Sequence, residues 1–276
     1  MRLAIFDSQE GENRLGVVTG TGIADVTDAL PWPHDPDPLT AGWWRRMCRD
    51  FAEVRPALEK AAERARPAGD VRLRAPVLNP SKIVAAASNY AAHVAEMHDV
   101  QRRTLGRVEP WMMEFDVFLK SPSSVSGPAD DIVLPPVEGE IHHEAELVAI
   151  IGAGGRPFGY TVGLDITVRA EGDRSRRKSY GTFSPLGPWL TTADEAGSPA
   201  GMDIELERNG VIRQQVSAGD MLVPVGDIVA YAGGIMPLLP GDVLFTGAPP
   251  GVGPIAAGDT LRARITGLGE MRLRVR

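Results

Sequence analysis

Two glutamates one residue apart, Glu144 and Glu146, open the run EAELVAIIG. Residues two apart on a strand face the same way. Val148 and Ile150 continue that face, so the two acids sit at one end of an apolar stripe. Carboxylates facing one way repel each other unless a cation or a proton lies between them. Taken alone, the spacing equally describes a solvated strand end or an ion-paired edge. Asp165 is a second anomaly, because it follows GYTVGL and precedes Ile166. An acid inside such a strand is costly unless paired. Three carboxylates from two strands make an all-oxygen site suited to a hard cation, Mg2+ or Mn2+. His142 and His143 precede Glu144, but neighbours on a strand point to opposite faces. Both therefore read as lying outside the ligand set or at the surface.

His93 and Glu96 lie three apart in NYAAHVAEM, on one face if that segment is helical. A carboxylate that orients a histidine is the arrangement a general base needs, although a surface His–Glu pair has the same spacing. Lys178 ends the charged run EGDRSRRK, and such runs are ordinarily solvated faces. The chain has only four lysines, Lys60, Lys82, Lys120 and Lys178. An ammonium and a guanidinium are not interchangeable, so each lysine merits inspection. The loop TGAPPGVGP reads as a tight substrate-facing turn or as an ordinary Gly/Pro loop.

These residues need strands to carry them. Residues 3–6, 16–19 and 22–26 read as short strands, and the Pro/Asp run after them cannot be regular structure. Trp43, Trp44, Met47, Phe51 and Val54 follow helical spacing. Pro56 suits the first turn of a second helix reaching about residue 66. A small N-terminal α+β domain, residues 1–70, is thus expected ahead of a catalytic domain, residues 80–276. In the latter, 83–87, 117–119, 132–134, 144–152, 160–167, 242–245 and 260–265 read as strands. Residues 90–99 and 225–236 read as helices. Residues 203–215 form a hairpin about Asn209-Gly210, the strongest short-range hairpin signal. Few helices among many strands point to an α+β fold.

Composition excludes several classes. The 276 residues carry a net charge of −7, which disfavours nucleic-acid binding and a polybasic membrane surface. The single cysteine, Cys48, excludes an intramolecular disulfide and any cysteine-rich metal site. No segment has the ~18 apolar residues of a membrane span, and the N-terminus lacks a signal-peptide core. A cytoplasmic enzyme is expected.

The order of these signals resembles the fumarylacetoacetate hydrolase family, in particular its shorter bacterial members and those of the 2-hydroxyhepta-2,4-diene-1,7-dioate isomerase type. The matching segments are collinear over residues 80–266: KIVAAASNYAAHVAEM, FLKSPSSVSGPADDIVLP, HHEAELVAIIG, GYTVGLDITVR, KSYGTFSPLGPWLTTAD, the Asn-Gly hairpin, and IMPLLPGDVLFTGAPPGVGP. The resemblance implies a mixed β-roll, assembled as a homodimer, acting on a small oxo-acid. It implies Glu144, Glu146 and Asp165 as ligands of Mg2+ or Mn2+, which stabilises an enolate as a Lewis acid. His93 and Glu96 become a dyad on a lid helix, and Lys178 a group that stabilises negative charge. Asn89, Tyr90, Arg169, Thr246 and Gly247 become substrate-side residues. The implied reaction is hydrolysis of a C–C bond in a 2,4-dioxo acid, an acylpyruvate or fumarylacetoacetate-like compound. Decarboxylation, or isomerisation or hydration of a 2-hydroxy-dienoic diacid, shares the same site. A non-catalytic binder that keeps the metal is the reading from another class. Leu164, Ala170 and Gly172 replace polar residues usual in the family. Trp111, Met112 and Met113, in segment 100–115, are expected as core packing or as an apolar lid contact.

Overall fold

The computed structural model describes residues 1–276 apart from Pro38 and Glu171. Strands β1 (Arg2–Asp7), β2 (Asn13–Thr19) and β3 (Gly22–Asp25) lead into helix α1 (Gly42–Arg64). Next come β4 (Ile83–Ala87), α2 (Ala91–Leu105), β5 (Asp116–Lys120), β6 (Val125–Ser126), β7 (Glu140–His143) and β8 (Ala145–Ile151). Then follow β9 (Pro157–Leu164), β10 (Thr167–Arg169), α3 (Arg174–Lys178), β11 (Ser184–Thr192) and α4 (Ala193–Ala196). The chain closes with β12 (Asp203–Arg208), β13 (Val211–Ser217), α5 (Val225–Ile235), β14 (Val243–Phe245), β15 (Gly253–Pro254), β16 (Thr260–Ile265) and β17 (Gly269–Arg274).

A ten-stranded mixed sheet runs β3-β2-β1-β11-β9-β8-β14-β4-β5, with β6 beside β11. Smaller sheets, β10-β7-β15 and β13-β12-β16-β17, complete the roll. The β8 strand is buried at every position. Leu147 and Ala149 face one apolar cluster, and Val148 and Ile150 face the other. An acid admitted to this strand is therefore enclosed on both sides.

The N-terminal strands do not stand apart from the rest. β1 pairs antiparallel with β11, Arg2 opposite Thr191. Leu3, Ile5 and Trp44 share a core with Ile83, Val148 and Phe245. The helix boundary also differs from expectation: the break lies at Asp50 (φ −105°, ψ 20°), so Pro56 falls inside the second segment of α1. Residues 132–134 form only an isolated bridge to Val275, because Pro135 and Pro136 have no N–H with which to extend a ladder. The expected 160–167 strand is interrupted after Leu164: Asp165 N–H turns to Glu144 O at 2.8 Å and Ile166 N–H to Phe183 O at 3.1 Å. The Asn-Gly hairpin forms as expected, with φ of 54° and 77° at its two turn residues.

Candidate metal centre and active site

The register of β8 and β9 places Glu146 opposite Gly163 and Ala145 opposite Leu164. Glu144 lies just before β8, and Asp165 just past the end of β9. The three carboxylates converge, with one oxygen from each lying within 4.8 Å of the others. All three side chains are buried.

Cations occupy part of this cluster. Lys178 Nζ donates to Glu144 Oε2 at 2.7 Å, Asp165 Oδ2 at 2.6 Å and Thr167 Oγ1 at 2.7 Å. All three of its N–H bonds are thus engaged. Arg169 Nη2 pairs with Glu144 Oε1. Burial pushes the Glu144 carboxyl up, but Lys178 and Arg169 outweigh it and hold it well below the usual carboxylate range. Lys120, which the sequence reading did not single out, donates to Asp165 Oδ1 at 2.6 Å and to Phe183 O at 2.9 Å. Its ammonium lies 4.8 Å from the centre of the Phe245 ring. Burial lowers its pKa. The scarcity of lysine was the one signal that could have found it.

Glu146 is placed differently. Its Oε2 accepts the Gly247 N–H at 2.6 Å, and no ammonium or guanidinium pairs with it among the described residues. Burial, then repulsion from Asp165 and Glu144, raises its pKa well above the ordinary value. A divalent cation among the three acids relieves that repulsion. Each carboxylate oxygen that accepts one hydrogen bond keeps a second lone pair for a ligand bond. Oxygen donors without thiolate or imidazole suit Mg2+ or Mn2+, so the residues present fit such an ion.

The loop after β14 supplies Gly247. Its φ is +101°, and a Cβ there would meet Asn89 Cβ at 2.7 Å. Glycine therefore lets the backbone N–H reach Glu146. Thr246 donates through Oγ1 to Leu147 O at 2.8 Å, a contact that fixes the loop. Asn89 is also structural. Its Nδ2 donates to Val223 O at 3.0 Å and Thr246 O at 2.8 Å, while Oδ1 accepts Val223 N–H at 2.7 Å. Neither Asn89 nor Tyr90 lines the central cavity. Tyr90 caps the start of α2, and its buried hydroxyl has no hydrogen-bond partner. Asn89→Ala is expected to destabilise the protein by about 2–4 kcal/mol, since it strands buried backbone groups. Urea unfolding measures this, and a loss below about 1 kcal/mol would contradict the clamp.

His93 lines the same cavity as Glu144, Glu146, Arg169 and Lys178. It is buried, and its Nδ1 lies 3.4 Å from Glu96 Oε2, short of a formed hydrogen bond. Glu96 is itself held by the Gly251 N–H at 3.1 Å. Immediately before α2, Ser88 adopts φ +57° and donates to Met112 O at 2.8 Å. A non-glycine residue in this region is a strain that the surrounding structure must hold in place.

His142 and His143 are buried, not superficial. His142 Nε2 meets Glu140 at 2.8 Å, and His143 Nδ1 meets Gln214 Oε1 at 3.2 Å. Burial lowers each pKa to about 4, so both are neutral near pH 7. Gln214 also accepts the Ala145 N–H at 3.0 Å, fixing the backbone between the two glutamates. The charged run before Lys178 is likewise not a solvated face: Arg177 and Lys178 are buried, and Arg174 lines the cavity. Segment 100–115 divides. Met113 packs with Met97 and Val100, Met112 reaches the cavity, and Trp111 stays half exposed beneath Arg174, 5.0 Å from its ring. Leu164 is core, Ala170 lines the cavity, and Gly172 is exposed.

Comparison with known proteins adds independent findings. The profile "Fumarylacetoacetate (FAA) hydrolase C-terminal" matches residues 82–276. Maleylpyruvate hydrolase of Aquipseudomonas alcaligenes is 36% identical over 280 aligned residues, covering 96% of this chain and 97% of that protein. The crystal structure of maleylpyruvate hydrolase from Sphingobium sp. SYK-6, in complex with manganese (II) ion and pyruvate, superposes with a TM-score of 0.83 at 38% identity, covering 100% of this chain and 98% of the other. That of 2-hydroxyhepta-2,4-diene-1,7-dioate isomerase from Mycobacterium marinum gives 0.74 at 29% identity, with the same coverage of 100% and 98%.

Proposed function

The chain belongs to the fumarylacetoacetate hydrolase family, and from that premise we propose a divalent-metal-dependent hydrolase that cleaves a C–C bond in a 2,4-dioxo acid of the acylpyruvate type. The observation that carries the proposal is the meeting, in one cavity, of the buried acids Glu144 and Glu146 with His93 and Lys178. Asp165 completes the acid cluster behind them. Glu144, Glu146 and Asp165 are the residues that would hold Mg2+ or Mn2+. Such an ion, when bound, supplies Lewis acidity to the oxygens of a 2-oxo acid.

The remaining chemistry belongs to the chain. His93 takes a proton from water as its oxygen adds to the carbonyl remote from the carboxylate. Glu96, steadied by Gly251, orients the imidazole. The bond from that carbonyl to the methylene then breaks, and its electron pair leaves with the pyruvate fragment. His93 is placed to return the proton to the methylene carbon, which balances the reaction as one water consumed and two acids formed. Lys178 and Arg169 supply fixed positive charge beside the developing anion. Lys178 acts through its field, because its three N–H bonds already hold Glu144, Asp165 and Thr167.

Incubation of the purified protein with Mg2+ or Mn2+ and a panel of acylpyruvates tests this reading. Loss of enol absorbance is expected, and no loss on any member overturns it. Isomerase chemistry, with His93 moving a proton and no water consumed, is the second reading, supported by the likeness to the Mycobacterium marinum isomerase. Only hydrolysis in 18O-water places solvent oxygen in a new carboxylate. A homodimer in the cytoplasm belongs to the same proposal. Exposed Leu222, Tyr231, Ile235 and Leu239 on and around α5 support the dimer. The single thiol, Cys48, suits a reducing compartment.

A further inference from the structure

Strand β13 buries one residue, and that residue is Gln214. Val211 and Ile212 in the same strand are 52% and 49% exposed, while Gln214 is 1% exposed. An antiparallel strand ordinarily turns apolar side chains inward and polar ones to solvent, so this one is inverted. Residues two apart should also share a face, yet Ile212 points out and Gln214 points in. A bulge breaks the period: Leu206 pairs with Gln214 and Glu207 with Ile212, which leaves Arg213 as an extra residue. Bulges re-aim side chains and are common beside active sites. A strand that breaks its own pattern to bury an amide marks a place where function overrides packing.

The amide reaches two parts of the site at once. Its Oε1 accepts the Ala145 N–H at 3.0 Å and the His143 Nδ1–H at 3.2 Å, and its Nε2 donates to Pro249 O at 3.0 Å. The first contact completes the hold on one peptide unit. Glu144 stands in the break between β7 and β8, and its carbonyl accepts the Asp165 N–H at 2.8 Å. The N–H of that same peptide unit, on Ala145, goes to Gln214. The contact with Pro249 holds the loop after β14 at its middle. At one end of this loop Gly247 N–H donates to Glu146 at 2.6 Å, and at the other Gly251 N–H donates to Glu96 at 3.1 Å. A Cβ on Gly251 would meet Arg213 O at 1.9 Å, so the loop backbone rests directly on the bulge that aims Gln214. One side chain therefore joins the strand carrying the cation ligands to the loop that steadies the base-orienting carboxylate.

We propose that Gln214 is a positioning residue that sets the reach between the acid cluster and the His93–Glu96 pair. It does not line the central cavity and acts through Ala145 and Pro249. The role rests on the hydrolase reading for the pair, whereas its effect on cation binding needs no turnover. Gln214→Met keeps the length of the side chain and removes every polar contact. Calorimetric titration of Mn2+ into the folded variant is expected to show about tenfold to a hundredfold weaker binding, the usual cost of losing a group that orients ligands. At saturating Mn2+, kcat on a single acylpyruvate should fall about a hundredfold, the scale for misplacing reacting groups by about an ångström, with KM changed far less. An amide that served the fold alone would lower the melting temperature and move neither reading. Wild-type Mn2+ affinity, or wild-type kcat at saturating Mn2+, therefore overturns the proposal. Combined with Glu96→Gln, the loss of kcat should fall short of the product of the single losses; a loss equal to that product also overturns it. Gln214→Asn keeps the amide but is one methylene too short to span Ala145 and Pro249, so it should show both losses in milder form. It decides the matter where the methionine variant does not fold, and failure of both variants to fold overturns the proposal. If Mn2+ binding weakens as expected while the wild-type protein cleaves no acylpyruvate, the hold on the cation site stands and the hydrolase reading falls.

Discussion

Glu146→Gln is expected to lower acylpyruvate cleavage by about 10^3-fold or more while leaving the metal-free protein at least as stable as the wild type. The size of the first effect follows from the several kcal/mol of charge stabilisation that a bound cation supplies, at ~1.4 kcal/mol per tenfold in rate. The sign of the second follows from the packing. Glu146 is 1% exposed and crowded by Asp165 and Glu144, which outweigh the Lys178 charge and the Gly247 N–H. Glutamine has nearly the same shape, and its carbonyl oxygen still accepts from Gly247. The substitution removes a buried acid that faces like charges, and it turns the new amide N–H donors toward the oxygens of Glu144 and Asp165, which lie within 4.8 Å. Thermal unfolding with and without Mn2+ separates the two effects. At about a hundredfold excess over Kd, the ion should stabilise the wild-type protein by about 2.7 kcal/mol, and the variant by almost nothing. A variant that keeps both the Mn2+-dependent shift and its activity would remove Glu146 from the metal site.

The route from sequence to site is legible where one local pattern carries the information. Glu144 and Glu146 are visible because strand period two puts both acids on one face of a run with no solvent side. Asp165 is visible because its neighbours are apolar, and the same carboxylate then explains why β9 stops: the chain turns to deliver it to Lys120 and Lys178. The Asn-Gly hairpin is legible for an equally local reason. Illegible features depend on pairings across the chain. Nothing near Arg2 announces that β1 lies beside residues 190–191, which is why the first 70 residues read as a separate domain. Arg177 and Arg176 are adjacent in one charged run, yet one is buried and the other exposed; only the docking of α3 on the cavity decides which. Asn89 shows a different failure. The resemblance to a family placed it toward substrate, whereas its amide joins the backbone of two distant loops.

His93→Gln is expected to reduce kcat by about 10^2- to 10^4-fold, the range for loss of a general base, while leaving Mn2+ affinity unchanged. His93 touches none of the three acids through a hydrogen bond, so its removal leaves the cation site intact. It lines the cavity beside Glu144 and Glu146, with Glu96 3.4 Å from Nδ1. This gap suits a pair that tightens when substrate closes the site, as catalytic hydrogen bonds often do. Glu96→Gln then gives a graded control. The amide oxygen can still accept from Gly251 N–H, so the loop stays in place, but the negative charge beside the imidazole is gone. A smaller fall in kcat, about tenfold to a hundredfold, follows if the carboxylate orients the imidazole without itself accepting the proton. Calorimetric Mn2+ titration and steady-state kinetics on a single acylpyruvate decide the matter. Loss of metal binding in His93→Gln would make the residue a ligand or a structural support. Wild-type kcat in that variant would place the base elsewhere, and the lid helix would then serve only to enclose the substrate. The double variant distinguishes a dyad from two independent groups: if Glu96 acts only through His93, adding Glu96→Gln to His93→Gln produces no further loss of kcat.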